Sequence, residues 1–427
     1  MNAPLNIYAR VGPAVLILIL AEFIYCLWKK NGFYSFQDSV IGLGTAIIAQ
    51  CVNIAVSVGV IAVYQWIYEN HAVWKIEETV TTYLLCYMGV DFLFYWFHRA
   101  GHRVNLFWAM HVPHHSAEEL NYAVALRSSF TQRAASFLFY WPLALLGFSP
   151  QLILPVVALN LVIQLIPHTR VIPKLPAWID SWLNTPYHHQ VHHAANPIYW
   201  DKNYGGTFIF WDKWFGTYQD QTEPLYYGVT VHPRSWDPTY LNFHWFLVLW
   251  RDTLDAPYIW DKFKLWFMPP GWRPRGLPEK REGSRIWEHA HLQEKYQTQA
   301  LIGSTLYLSA QLIPAFWMMF LVIGNQSPLT TLEKFVLSLA LWLLVTSWGA
   351  ILESRIHAKS LALFANTTTL CALIWSYKEE LLALNQFSWS LTLGLVFCLW
   401  AAFALKKMDP IRKNTNSRFI STLTPNQ

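Results

Sequence analysis

Ten of the sixteen histidines in this chain lie between residues 98 and 193, and nine of those ten fall into three tight clusters. They read His98-Arg-Ala-Gly-His102, His111-Val-Pro-His114-His115 and His188-His189-Gln-Val-His192-His193. Imidazole is the commonest side-chain ligand for iron, copper and zinc, so this density points to metal chemistry. On a helix, His98 and His102 stand one above the other on one face. His111, His114 and His115 repeat that geometry, as do His189, His192 and His193. His168 is isolated in sequence but closes an apolar run, where it can enter the same site. Structural zinc takes four ligands and catalytic zinc three, so this many imidazoles suits two metal ions at neighbouring positions. A nitrogen-rich pair that must gain and lose electrons points to iron. His188 falls outside the spacing that its neighbours satisfy and is set aside. His71, His232, His244 and His357 read as satisfied core residues.

The elements that position these histidines are apolar. The chain is 54% hydrophobic and 13% charged, whereas soluble domains are about one quarter charged. Runs long enough to span a bilayer lie near 12–28, 40–66, 79–97, 129–147, 150–167, 298–323, 331–351, 358–376 and 387–405. The fold class expected is therefore all-α: a polytopic membrane protein of about nine apolar helices with a histidine-rich cap holding a di-metal site. The first run is too long, and too flanked by aromatics, for a cleaved leader. The net charge of +5 reads as topology rather than nucleic-acid binding, because Lys and Arg collect on the cytosolic side. Lys29 and Lys30 follow the first run, Arg355 and Lys359 the seventh, and Lys406, Lys407, Arg412 and Lys413 the last. With nine crossings these share one face, which places the histidines and the C-terminus in the cytosol. Cys26, Cys51, Cys86, Cys371 and Cys398 sit in apolar runs without a C-x-x-C pair, so neither disulfides nor a thiolate site is expected.

Residues 1–297 form the expected catalytic part, with cytosolic blocks at 98–127 and 168–297. Between them, 128–167 reads as a helical hairpin broken at Gly147 and Pro150. The second block is too long for a bare loop and should hold short helices. Residues 298–407 form a C-terminal four-helix membrane domain, and 408–427 a polar tail. Pro113 lacks an N–H, so a helix is expected to begin near residue 112. Asp91 and Asp212 are the candidates to accept the second N–H of metal-bound imidazoles; an unpaired Asp91 at the end of a span would be costly. Gly42-Leu-Gly44 lacks the third glycine and the preceding strand of a nucleotide loop. With no haem or flavin domain, electrons must come from a separate protein or a diffusible reductant.

The H-x-x-x-H, H-x-x-H-H and H-x-x-H-H boxes at His98/His102, His111/His114/His115 and His189/His192/His193 resemble those of the fatty acid hydroxylase superfamily. These are membrane di-metal oxygenases that include sterol desaturases. Tyr95-Trp-Phe-His98-Arg99, Ala125-Leu-Arg127, Asn184-Thr-Pro186, Asp201-Lys-Asn-Tyr-Gly205, Trp211-Asp-Lys-Trp-Phe-Gly-Thr217 and Pro270-Gly-Trp272 are similar to the alkylglycerol monooxygenases within it. That resemblance implies two iron ions, O2 as co-substrate, tetrahydrobiopterin as reductant and cleavage of the O-alkyl bond of ether glycerolipids. The expected partner is an external electron donor or a pterin-recycling reductase. Glu118 and Glu119, next to the second box, are then the candidates to pair with a pterin's amino and ring N–H groups. A sterol or fatty-acyl hydroxylase or desaturase fed by cytochrome b5 or ferredoxin is the nearest alternative. A metal or proton transporter is a remote one, since the histidines cluster outside the apolar runs.

Overall fold

The computed structural model describes residues 7–279, 295–299, 302–324 and 329–376. The expected ninth span at 387–405, the polar tail and Cys398 lie outside them. The described residues are helical; their only β features are the isolated bridges Leu183–Phe208 and Ala194–Tyr227. Among the described residues, five helices are long and apolar enough to cross a membrane. They are α1 (Ile7–Lys29), α2 (Phe36–His71), α3 (Val80–Arg103), α13 (Ile302–Ile323) and α14 (Thr331–Leu352). A short α4 (Asn105–His115) and a single turn, α5 (Tyr122–Ala125), follow α3.

The hairpin forms as α6 (Phe130–Leu146) and α7 (Pro150–Ile163). Gly147, at φ 112°, closes α6 in the left-handed region, and Ser149 caps α7 by accepting from the Leu152 N–H. Its arms have 17 and 14 residues, about 26 and 21 Å at 1.5 Å per residue. A hydrocarbon core is roughly 30 Å thick, so these arms are shorter than the full crossings expected. α15 (Ala358–Ser376) follows α14 and is also not among the five.

One buried core joins α2 to α13, α14 and α15 through Ile41, Ile48, Leu308, Met318, Leu344, Trp348 and Leu373. The C-terminal helices therefore pack directly on α2, whose first turn holds Arg127 just after the second histidine box. Gly42-Leu-Gly44 lies inside α2. Asp38 near the start of α2 pairs with Arg127 at 3.0 Å, both fully buried. Removing one partner of such a pair typically costs about 3–5 kcal/mol, so α2 firmly anchors the segment that carries Arg127.

The 168–279 stretch folds as α8 (Ala177–Asp180), α9 (Pro186–His192), α10 (Phe210–Phe215), α11 (Pro238–Asp255) and α12 (Ile259–Phe267). Asp237 caps α11 ahead of Pro238, whose missing N–H costs nothing at that position. Along α11, Tyr240, Phe243, Leu247, Trp250 and Leu254 form an exposed apolar stripe, continued on α12 by Trp260, Phe263 and Phe267. With Lys262 and Lys264 beside it, this is the pattern of a helix pair lying along a bilayer surface. His232 and His244 are buried as expected. His71 and His357, expected in the core, are instead exposed; His71 packs against Trp66 at a helix end.

Candidate metal centre

The last turns of α3 carry His98 and His102. Val104, extended at φ −127° and ψ 119°, ends α3 and starts α4, so α4 lays its histidines against those of α3. Ring centroids are 4.9 Å apart for His98–His111 and 4.7 Å for His102–His115. The expected helix start near 112 is overturned, because α4 begins at Asn105. Pro113 sits in its last turn at the cost of one N–H donor, and the Ser116 hydroxyl donates to its carbonyl at 2.8 Å. His189 and His192 belong to α9, His193 caps its C-terminus, and His168 turns back just after α7.

The fold brings the nine candidate histidines together in two groups, each with ligand atoms within 4.8 Å of one another. One holds His98, His102, His111, His115 and His192; the other holds His114, His168, His189 and His193. The stacked rings of His115 and His193, 4.4 Å apart, join the groups. His188 belongs to neither. It turns its Nδ1 toward the Leu183 carbonyl at 3.2 Å and helps cap its own helix. His188→Ala is expected to leave metal content unchanged and to cost about 1 kcal/mol of stability through the lost cap. Metal analysis and a thermal melt check both.

Orientation within the groups comes from the backbone. The Nδ1 of His98 donates to Tyr204 O at 2.8 Å, of His114 to Arg127 O at 3.0 Å, of His168 to Gln164 O at 2.8 Å and of His192 to Lys202 O at 2.9 Å. Each bond fixes the proton on Nδ1 and turns the Nε2 lone pair inward. Nε2–Nε2 separations are 3.1 Å for His98–His111, 3.0 Å for His111–His115, 3.1 Å for His114–His168 and 2.9 Å for His168–His189. Two nitrogens at right angles around one metal, each about 2.1 Å from it, are about 3.0 Å apart. The Nε2 atoms of His102 and His192 are buried with no hydrogen-bond partner, as a ligand waiting for a cation would be. Burial pushes the imidazoles of His111, His115, His168, His189 and His193 well below the usual histidine range. It also takes His114 to about 4 and His192 to about 3. They are neutral near pH 7 and free to ligate. The donor set therefore fits two transition-metal ions.

Asp91 and Asp212 do not accept from an imidazole, contrary to expectation. Asp91 accepts from Thr207 N–H at 2.7 Å, Phe208 N–H at 3.2 Å, Trp211 Nε1 at 2.9 Å and Asn160 Nδ2 at 2.8 Å. Asp212 takes the N–H groups of Tyr204 and Gly205, both at 2.7 Å, and the Thr217 hydroxyl at 2.6 Å. Both carboxylates thus pin the 204–208 segment, whose Tyr204 carbonyl holds His98. A Cβ at Gly206 would meet Asp91 Oδ1 at 2.7 Å, so glycine permits this close approach. The acceptors that fix the imidazoles are backbone carbonyls, which no side-chain pattern announces.

Glu118 and Glu119 are also placed differently. Both are buried and neither lines a cavity beside the nine clustered histidines; Glu118 lies 3.9 Å from His232 instead. Glu119 pairs with Arg170 and Lys295, and Glu118 accepts the Tyr296 N–H at 2.6 Å. Burial raises Glu118 to about 7. Their carboxylates tie Arg170, Lys295 and Tyr296 to the segment after the second box.

Two cavities flank the histidines. One of about 420 Å³ lies on the cap side, against Trp108, Trp200 and Trp245. The other, about 200 Å³, lies among the membrane helices, between Val15, Phe94, Leu161 and Leu165.

A fatty acid hydroxylase family profile matches residues 83–217, which contain all nine histidines. Alkylglycerol monooxygenase of Xenopus tropicalis is 36% identical over 62% of this chain and 60% of its own. That of Homo sapiens is 34% identical over 62% and 60%. These two matches thus span about 60% of the relatives' length. Alkylglycerol monooxygenase of Danio rerio is 28% identical over 95% of this chain and 91% of its own. No solved structure matches the chain. The histidine boxes and their convergence thus lie inside the stretch that matches the fatty acid hydroxylase family, in a chain similar in sequence to alkylglycerol monooxygenases.

Proposed function

We propose that the chain is a membrane di-iron monooxygenase that cleaves the O-alkyl bond of ether glycerolipids, with tetrahydrobiopterin as reductant. The observation that carries this reading is the convergence of nine imidazoles, seven of them buried and two half-buried, in groups of five and four beside membrane-length helices. The similarity to alkylglycerol monooxygenases supports the choice of lipid and pterin. His98, His102, His111, His115 and His192 would hold one iron; His114, His168, His189 and His193 would hold the other. When bound, the pair supplies the oxidising chemistry that inserts one atom of O2 into a C–H bond.

The chain's own residues do the rest. Burial of the imidazoles excludes water from the reacting carbon. The carbonyls of Tyr204, Arg127, Gln164 and Lys202 hold protons on Nδ1 and keep the ligands from rotating. The membrane-side cavity takes the lipid, its alkyl chain against Phe94, Leu161 and Leu165, with Gln50 and Gln132 near the glycerol hydroxyls. Hydroxylation next to the ether oxygen gives a hemiacetal, which collapses to a fatty aldehyde and a glycerol. The positive charges at Lys29, Lys30, Arg355 and Lys359 support a cytosolic histidine cap.

Membranes holding the protein, given an alkylglycerol, oxygen and tetrahydrobiopterin, are expected to release fatty aldehyde. Release without pterin removes the cofactor from the proposal. Hydroxylation of a sterol or acyl lipid with cytochrome b5, and no aldehyde, favours the sister activity instead.

A further inference from the structure

The nine histidines form a partition. The cap-side cavity is floored by His102, His115, His192 and His193, the membrane-side cavity by His98, His111, His114, His168 and His189, and the two share no lining residue. Each candidate metal group contributes histidines to both floors. A metal held by either group therefore faces two separate chambers.

The chambers suit different reactants. α11 stands between the cap-side cavity and lipid: Trp245 faces the cavity, while Phe243, Leu247, Trp250 and Leu254 are exposed on the helix's other side. The cavity's rim is instead polar, with the Arg103–Asp201 ion pair, whose side chains are 52% and 37% exposed. Inside, the Trp108 and Trp245 rings meet edge to face at 6.3 Å, and Trp108 lies within 31° of the His115 plane. Flat aromatic walls favour a flat aromatic guest, and about 420 Å³ falls in the range of small-molecule sites. Asp201 offers a carboxylate to a guest's N–H groups. Its loop is strained, with Asp201 at φ 61° and Asn203 at φ 54°, as non-glycine residues often are at functional sites. The same loop supplies the Lys202 and Tyr204 carbonyls that hold His192 and His98.

We infer that the cap-side cavity binds the water-soluble electron donor, a reduced fused-ring heteroaromatic of the tetrahydropterin class, while the lipid reaches the metals only from the opposite chamber. The inference rests on the monooxygenase reading. The reaction balances as C–H plus O2 plus tetrahydropterin giving C–OH, water and dihydropterin. The donor loses two electrons and two protons; one oxygen atom enters the C–H bond and the other leaves as water.

Two space-filling variants test the placement. Thr230→Trp fills the cap-side cavity from its half-buried rim, and Leu161→Trp fills the membrane-side one. Thr230→Trp is expected to raise the KM for tetrahydrobiopterin at least about tenfold and leave the alkylglycerol KM within about twofold. Leu161→Trp should do the reverse. Direct binding of oxidised biopterin, followed by its own fluorescence polarisation, should weaken in Thr230→Trp and persist in Leu161→Trp, whatever either variant's turnover. Trp245→Phe, which keeps an aromatic wall, should weaken pterin binding less than Trp245→Ala. Pterin binding lost in Leu161→Trp but kept in Thr230→Trp overturns the placement. Aldehyde release by the wild type without any pterin overturns the cofactor itself, a separate failure.

Discussion

Replacing His168 with alanine is expected to remove one metal ion per chain and to lower aldehyde release at least about 100-fold, beyond what loss of a supporting contact typically costs. His168 is the member of its group that no box contains. Its Nε2 lies 3.1 Å from that of His114 and 2.9 Å from that of His189, and its Nδ1 is held on the Gln164 carbonyl. Alanine leaves three imidazoles and removes the one that connects the end of α7 to the group. Iron per chain by elemental analysis and aldehyde by mass spectrometry are the readouts. Two ions and full turnover in His168→Ala would show that His168 is not a metal ligand.

Asp91→Ala is the second change with a large expected effect, although Asp91 touches no histidine. Itself fully buried, it satisfies two half-buried backbone N–H groups, a buried indole N–H and a buried amide. A buried donor left without an acceptor costs about 1–3 kcal/mol, so at least about 3 kcal/mol of stability should be lost. The 204–208 segment would loosen, and with it the Tyr204 carbonyl that orients His98. Metal affinity is expected to fall about 10–100-fold. Asp91→Asn keeps one acceptor oxygen and should fall between wild type and alanine in both melting temperature and metal affinity. A wild-type melt and wild-type affinity in Asp91→Ala would remove the positioning role of this loop.

These two residues show what the sequence displays and what it hides. The histidine boxes are legible because helical spacing is local: residues three and four apart must share a face. His168 was suggested by its place at the end of an apolar run, and the turn after α7 brings it in. The role of Asp91 was only half legible. Its burial cost announces a partner, but the partner is a loop more than a hundred residues away in sequence, and backbone amides carry no residue signature. Glu118 and Glu119 misled for the same reason. Adjacent carboxylates beside a metal box look like a ligand grip, yet Arg170 and Lys295 meet Glu119 from distant segments.

Pro113 pointed to a helix start because its missing N–H is free there, and the last turn of α4 tolerates it too. The hairpin at 128–167 was legible from Gly147 and Pro150, but hydropathy alone overstated the length of its arms. His71 and His357 read as core because an isolated histidine is more often a satisfied interior residue; both sit at helix ends, where the chain emerges.

The most direct test of the two-metal account is the iron content of the purified, iron-reconstituted wild-type protein, measured per chain. Groups of five and four converging imidazoles predict two ions, falling to one when either His102 or His168 is replaced by alanine. One ion or none in the wild type, or two retained in both variants, would contradict it.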